Sequence, residues 1–428
     1  MDINRKTAYL TLIEIEKDNA YSNIALNKHI QIHKPDAPAF VREIVYGVLK
    51  NRFFLDYYLN LLIKRGLKGV KKETHVLLQM GIYQLAFMNS VPEYAAVNET
   101  VRLARKYSKG REGFINGVLR HFAREKDILP FPDREKDLVE YLSVKYSYEK
   151  WIVKLWIEQY GEERAEELLS AGNTTPKLSL RVNVTMTTRN QLKERLEARG
   201  IEVEDGNLSS RCILAKGSEV LSTPEFKTGM FSVQDEASMV LTEIMEPAEH
   251  DQIIDICAAP GGKTLAAAEM MKNTGNVISC DIYQHKLELI ENEAERLGLK
   301  NITVMENDGT VLREEWIQTA DKVLVDGPCS GLGVIRKKPE IKYRVLPDDG
   351  RGLARKQLDL LEISSQYVKK GGFLIYSTCT VNKIENADVI SRFLKHHEEF
   401  ELIRSRQLLQ GVEETDGFFI CKMRKKNN

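Results

Sequence analysis

Two cysteines stand where a thiol can act as a nucleophile. Cys329 lies in Asp326-Gly327-Pro328-Cys329-Ser330-Gly331, and Cys379 lies in Ser377-Thr378-Cys379-Thr380. Each follows a short apolar run, residues 322–325 and 372–376, that reads as a buried strand. An activated thiol at such a place is suited to covalent catalysis. Added to C6 of a cytosine, it turns the ring into an enamine whose C5 can attack a methyl group. That chemistry needs a group to stabilise the ring at N3, and Asp326 is the natural candidate. It also needs a base to remove the C5 proton so that the thiol can leave. The cytosine itself must leave its stack to reach the thiol. Either cysteine alone would carry little weight, because free cysteine is among the most buried residue types. Cys212 and Cys421 are assigned to that class, and Cys257 and Cys280 to packing at strand ends.

A methyl donor would sit on the loop upstream. A strand at 252–256 runs into Cys257-Ala258-Ala259-Pro260-Gly261-Gly262-Lys263-Thr264. This is not a phosphate-binding P-loop, because Cys257 stands where the motif needs its first glycine. Nor is it a dinucleotide fingerprint, since G-x-G-x-x-G is absent. What remains is a glycine turn whose backbone lets a ligand approach closely. Asp281 ends the next strand, 19 residues after Gly262, where a carboxylate can accept both ribose hydroxyls. Asp308 follows the third strand, in reach of an adenine amino group. Asp326 ends the fourth, near the methionine end of the ligand. The series fits S-adenosylmethionine. Turn-capping acids on an α/β fold would explain one such residue more readily than four.

These residues need a frame. From about residue 236 to 428 the chain alternates strand and helix, with strands expected at 252–256, 276–280, 302–305, 322–325, 372–376, 400–403 and 417–422. That is a doubly wound, Rossmann-like α/β sheet, which binds ligands at the carboxyl ends of its strands. Residues 1–130 show apolar spacings of three and four at 5–16, 39–50, 53–64, 73–88, 94–107 and 114–125, which predicts an all-α bundle. Pro130 and Pro132 end it. Residues 131–235 form a linking region. Acidic helices bury Trp151, Leu155 and Trp156, Asn173-Thr174-Thr175-Pro176 breaks the chain, and a small α+β unit follows. Its expected elements are strands at 178–183, 201–204 and 211–214, a helix at 189–198, and a further short strand near 230–233. Such a unit often offers a sheet to RNA, though a rigid spacer reads equally well.

At 428 residues the chain is too long for one core. No apolar run approaches the length that spans a bilayer, and the start lacks a signal-peptide core, so a cytoplasmic, membrane-free protein is expected. Six cysteines with no C-x-x-C spacing imply free thiols in a reducing compartment and no metal site. The net charge of zero is unevenly spread: residues 1–130 hold 21 Lys and Arg against 13 Asp and Glu, and residues 231–428 hold 26 against 32. A basic front fits a polyanion partner as well as it fits a solvated helical surface. Nothing marks a protein partner or an oligomeric state.

The residues from Asp255 to Thr264, Asp281, Asp308, the Pro-Cys motif and the Thr-Cys motif resemble the RNA cytosine-C5 methyltransferases of the Nol1/Nop2/Sun family. In that family the Thr-Cys cysteine is the nucleophile and the Pro-Cys cysteine assists product release. The resemblance therefore implies Cys379 as nucleophile and Cys329 as release residue. It also implies that residues 257–263, Asp281, Asp308 and Asp326 contact S-adenosylmethionine. Ala96-Val97-Asn98-Glu99, Phe114-Ile115-Asn116-Gly117-Val118-Leu119-Arg120 and Val45-Tyr46-Gly47-Val48-Leu49 resemble the NusB-type RNA-binding bundle. Leu180-Arg181-Val182-Asn183 and Gln234-Asp235-Glu236-Ala237-Ser238 fit the same arrangement. Nearly the whole chain is thus similar to 16S rRNA cytosine-C5 methyltransferases of the RsmB/Sun type. This implies 16S rRNA as partner, naked or in an early assembly intermediate, and a target cytosine of the position-967 type.

Arg336, Lys337 and Lys338 follow Cys329 closely and are expected to meet RNA phosphates. Tyr343 or Phe231 would stack on bases unless they are core. Two other functions compete. One keeps the chemistry and makes tRNA the substrate. The other is an RNA-binding assembly or antitermination factor with an inactive methyltransferase fold, against which the intact cysteines and glycines argue. A DNA methyltransferase would leave Cys379 without a role.

Overall fold

A computed structural model describes residues 2–427, which fall into two compact units. The first runs up to Asn173 and also takes in Ile335–Val345. The second comprises Thr174–Val334 and Leu346 onward. The boundaries placed at 130 and 235 from sequence fall inside these units. The helices Leu138–Tyr146, Lys150–Tyr160 and Glu162–Ala171 belong with the first unit, and the small sheet belongs with the second.

The first unit is helical. Ile3–Asp18, Ser22–His33, Pro38–Lys50, Arg52–Leu62, Lys72–Phe87, Glu93–Tyr107 and Glu112–Glu125 form its bundle. Lys72–Phe87 is central, buried along almost its whole length from Thr74 to Leu85. Glycine permits its closest approaches. A Cβ on Gly47 would stand 1.9 Å from Cζ of Tyr83, and one on Gly81 would stand 2.6 Å from both methyls of Leu119. Six of these helices match the sequence reading; Ser22–His33 was not foreseen. It is mostly polar, it buries only Ser22, Ala25 and Leu26, and its N-cap Tyr21 offers no side-chain acceptor.

Its acceptor comes from a strap far along the chain. Glu340 accepts from the Ser22 amide (3.1 Å) and from Ser22 Oγ (2.8 Å). A carboxylate there satisfies orphan donors and complements the helix dipole. Two residues on, the fully buried Lys342 does the reverse at two helix C-termini. Its Nζ donates to the carbonyls of Lys50 and Tyr146, each at 3.0 Å, and to Asn173 Oδ1. The ammonium also lies 4.1 Å from the centre of the Tyr148 ring. Tyr343 donates to the Leu49 carbonyl at 2.6 Å, and Arg344 to the Ala20 carbonyl at 2.7 Å. Residues 335–345 therefore close the ends of three helices.

The second unit holds two sheets. The small one contains β1 (Leu178–Val182), β2 (Val203–Asp205), β3 (Cys212–Ala215) and β4 (Phe231–Val233), ordered β2-β3-β1-β4 and antiparallel throughout. The helix Arg189–Glu197, opened by a Thr188/Gln191 capping box, packs Leu192 and Leu196 against Leu180, Val182, Ile213 and Phe231. The large sheet contains β5 (Gln252–Asp255), β6 (Asn276–Asp281), β7 (Ile302–Glu306), β8 (Ala320–Asp326), β9 (Val368–Thr378), β10 (Phe400–Leu408) and β11 (Phe418–Lys425). Its order is β10-β11-β9-β8-β5-β6-β7. The first five strands in sequence pair in parallel, and β11 and β10 add an antiparallel edge. All seven expected strands are present. The sheet begins with β5, the middle one of its five parallel strands, so the carboxyl end of β5 is the switch point where ligands bind in such sheets.

Lys342→Met keeps the stem and removes the ammonium. It should lower the stability of the helical unit by about 2 kcal/mol, because the Lys50 carbonyl and Asn173 Oδ1 lose their donor, while the Tyr146 carbonyl keeps the Asn173 amide. Urea unfolding followed by circular dichroism measures this, and an unchanged midpoint would mean that the strap is not a capping element.

Candidate active site

The carboxyl ends of β5, β6, β7, β8 and β9 carry the residues singled out from sequence. After β5 the chain turns at Gly261, whose φ of 101° suits glycine. A Cβ there would lie 2.9 Å from Cγ1 of Ile290. The helix Gly262–Met270 follows. Its first turn is held by a residue of the small sheet. The fully buried Arg181 donates to the Gly262 carbonyl (2.8 Å), to Gln234 Oε1 (2.7 Å) and to both oxygens of the equally buried Glu269 (2.8 and 3.0 Å). The glycine loop therefore has a rigid backing.

Asp255 ends β5 and is buried. Thr264 Oγ1 donates to its Oδ2 at 2.7 Å, while Oδ1 has no protein partner. Asp281 ends β6, nearly buried, and accepts from the Tyr283 amide at 3.1 Å. Asp308, beyond β7, is exposed and accepts from Thr310 N (3.0 Å) and Oγ1 (2.7 Å), bonds that hold its carboxyl below the ordinary range. Its neighbour Asn307 is buried and was not singled out from sequence. The Asn307 amide donates to the Asp281 carbonyl at 3.1 Å, and its Nδ2 has no protein partner.

The parallel ladder places Asp326 directly opposite Ser377. Ser377 Oγ donates to Asp326 Oδ1 at 2.6 Å, and Lys263 Nζ donates to Oδ2 at 2.5 Å. Burial works against the charge of Lys263, but Asp326 outweighs it and holds the ammonium above its ordinary value. Cys379 lies close enough to add to the same effect. Just beyond both strands, Cys329 Sγ and Cys379 Sγ stand 3.0 Å apart, each half-buried. The hydrogen bond to Cys379, with burial, pushes the Cys329 thiol well up. The other cysteines are packing residues. Cys212, Cys280 and Cys421 are buried, and burial pushes the thiols of Cys280 and Cys421 up to about 12. Burial also raises the half-buried Cys257, with Asp255 adding to it.

The structure thus brings together Lys263, Asp326, Cys329 and Cys379. Arg336, Lys337 and Lys338 lie on the strap of the helical unit. Lys338 is exposed, with its ammonium 5.8 Å from the centre of the Tyr21 ring. The stacking residues suggested from sequence are packed instead. Phe231 is fully buried, and Tyr343 sits edge-on to Phe53 with its hydroxyl engaged. Among the described residues, no group of three or more His, Cys, Asp or Glu could hold a metal ion, and no helix is long and apolar enough to cross a membrane.

A probable ribosomal RNA small subunit methyltransferase B of Bacillus subtilis is 39% identical to this chain, over 99% of the chain and 98% of the relative. The chain belongs to that methyltransferase family. Within it, the family described as 16S rRNA methyltransferase RsmB/F matches residues 242–424. The NusB family matches residues 2–124, and the RsmF/B-like ferredoxin-like domain matches residues 148–220. The fold is that of the crystal structure of PH0851, with a TM-score of 0.85 at 24% identity over 99% of this chain and 98% of that one. A methyltransferase homolog from Pyrococcus horikoshii aligns at 28% identity and a TM-score of 0.60, over 66% of this chain and 97% of its own. S-adenosylmethionine is the methyl donor of the family, and this strand edge fits it. Two buried polar atoms there, Asp255 Oδ1 and Asn307 Nδ2, have no protein partner.

Burial pushes the Asp255 carboxyl up to about 7, against the hydrogen bond from Thr264. Its ordinary value is 3.8, so between the two values the folded chain keeps a proton that the unfolded chain gives up. The stability this contributes is fully present below the lower value and is lost as pH rises through the higher one. Measured by urea unfolding without ligand, wild type should therefore lose about 2 kcal/mol relative to Asp255→Asn between about pH 5.5 and pH 8. A pH-independent difference would show that the carboxyl titrates normally.

Proposed function

We propose that the protein methylates C5 of a cytosine in 16S ribosomal RNA, through a covalent bond between Cys379 and C6. The observation that carries this reading is the pair of thiols 3.0 Å apart beside an Asp326 carboxylate gripped by Lys263 and Ser377. A packing role explains one half-buried cysteine but not two in contact at the ligand-binding edge of a methyltransferase sheet. The relatives named above as small subunit rRNA methyltransferases support the choice of RNA.

S-adenosylmethionine, when bound, supplies an electrophilic methyl group. The glycine loop 257–263 would approach it through backbone, with Asp281 on the ribose hydroxyls and Asp308 or Asn307 at the adenine. Cys379 adds as thiolate to C6, and the nearby Lys263 ammonium favours that charged form. A solvent-derived proton delivered to N3 through Asp326, which Lys263 and Ser377 hold on both oxygens, neutralises the ring and leaves an enamine whose C5 is nucleophilic. Once the C5 proton is removed the Cys379–C6 bond breaks, and Cys329 assists that release. The raised proton affinity of Cys329 suits a group that finishes the cycle holding a proton. The basic residues of the helical unit, with Arg336, Lys337 and Lys338, would hold RNA phosphates and make binding salt-sensitive.

The test is transfer of labelled methyl from S-adenosylmethionine to protein-free 16S rRNA, with the modified base mapped. Wild type should label one cytosine at C5, Cys379→Ala should transfer nothing, and Cys329→Ala should accumulate protein covalently attached to RNA. Label on tRNA alone would move the substrate, and normal turnover by Cys329→Ala without adduct would remove its release role.

A further inference from the structure

Glu385 is fully buried at the end of the short turn Lys383–Glu385, just past Cys379. The chemistry above makes no use of it. A carboxyl buried in such a place is costly unless hydrogen bonds engage it. Here Oε2 accepts from the Ser330 amide at 2.7 Å. Oε1 accepts from Ser330 Oγ at 2.6 Å and from Asn382 Nδ2 at 3.1 Å. The main-chain carbonyl of Glu385 accepts from the Tyr376 hydroxyl at 2.6 Å, which ties the turn back to β9.

The residue it grips decides what this does. Ser330 directly follows Cys329. Its hydroxyl also lies 2.8 Å from Oγ1 of Thr380, which directly follows Cys379. Apart from the buried Leu332 side chain and a Gly331 backbone bond to the Cys329 thiol, the loop that carries Cys329 is held mainly near its ends. It leaves β8 through Gly327, whose amide donates to the Ser377 carbonyl at 2.9 Å. It ends at Gly333, whose amide donates to the Cys379 carbonyl at 3.0 Å. Between them, Gln357 donates to the Pro328 carbonyl at 2.8 Å, and Gly331 has a φ of 72°. A glycine-rich loop pinned at both ends can still bow in its centre, where Cys329 sits.

We propose that Glu385 is a positioning residue that clamps the Cys329 loop, through Ser330, to the Cys379 loop and so sets the spacing of the two thiols. This rests on the reading in which Cys379 attacks and Cys329 assists release. Addition at C6 needs Cys379 alone, so it survives a loosened clamp. Release needs Cys329 beside the adduct, so it does not. Glu385→Gln places an amide where three donors converge. It cannot accept from all three, and the Ser330 end of the clamp opens.

Two readouts test this separately from folding and from each other. The first uses the full-length protein without RNA. Dibromobimane becomes fluorescent when it bridges two neighbouring thiols, and peptide mapping identifies the Cys329–Cys379 product. Glu385→Gln should bridge about tenfold more slowly than wild type, and Ser330→Ala, which loses only the hydroxyl, about threefold more slowly, as expected for lost buried hydrogen bonds. The second is the ratio of RNA-bound protein to methyl turnover, which should rise about tenfold in Glu385→Gln for the same reason. A folded Glu385→Gln that bridges at the wild-type rate overturns the clamp. So does an adduct ratio that stays flat or falls while wild type turns over. If wild type transfers no methyl to any RNA and Cys329→Ala forms no adduct, but the bridging rates fall as stated, the clamp is upheld and the functional reading fails. If Glu385→Gln does not fold, the bridging rate of Ser330→Ala decides: threefold slower upholds the clamp, and unchanged overturns it.

Discussion

The parallel pairing of β8 with β9 is the constraint on which the site depends. It sets Asp326 opposite Ser377, and every distance that matters at the thiols follows from that register. A slip of one residue would turn Asp326 to the other face of the sheet. The ladder is itself fixed by burial. Val323, Leu324, Val325, Leu374, Ile375 and Tyr376 are almost wholly shielded, and they feed cores on both faces of the sheet. Apolar packing thus fixes a polar geometry: a carboxylate held on both oxygens, and two sulfurs in contact just past the strand ends.

Around that ladder, buried charge is placed where the backbone needs a partner. Arg181 reaches the Gly262 carbonyl at the start of a helix while neutralised by Glu269. Lys342 serves helix C-termini, and Glu340 serves an N-terminus. These groups are poor sources of net stability, since desolvation offsets most of what the pairing returns. Their value is directional. Each fixes the end of an element that apolar contacts alone would leave free to slide.

Much of this was legible in the sequence because it follows from short-range rules. Period and turn chemistry located all seven strands of the large sheet and six helices of the first bundle. The cofactor loop and both cysteines were visible because strand ends and glycines stand beside them. What escaped has long-range causes. Ser22–His33 carries no local cap, because its acceptor is Glu340, 318 residues away. Tyr343 and Phe231 have the composition of base-stacking residues, and only tertiary packing shows them enclosed. Glu385 lies in an unremarkable Asn-Lys-Ile-Glu-Asn run, and its partner Ser330 is 55 residues upstream. Asn307 was overshadowed by the acid beside it, although it is the buried member of the pair.

The strap at 335–345 makes the helical unit discontinuous in sequence. During synthesis, the first ten helices emerge long before the residues that close three of their ends. The helix Ser22–His33 waits for Glu340, and the Lys50 carbonyl waits for Lys342. By then β5 to β8 have also been made. The N-terminal bundle therefore takes part of its helix capping from a segment made after the start of the large sheet. It is completed by a stretch that directly follows the Pro-Cys loop, after four of the seven strands of the large sheet have been made and before β9, β10 and β11.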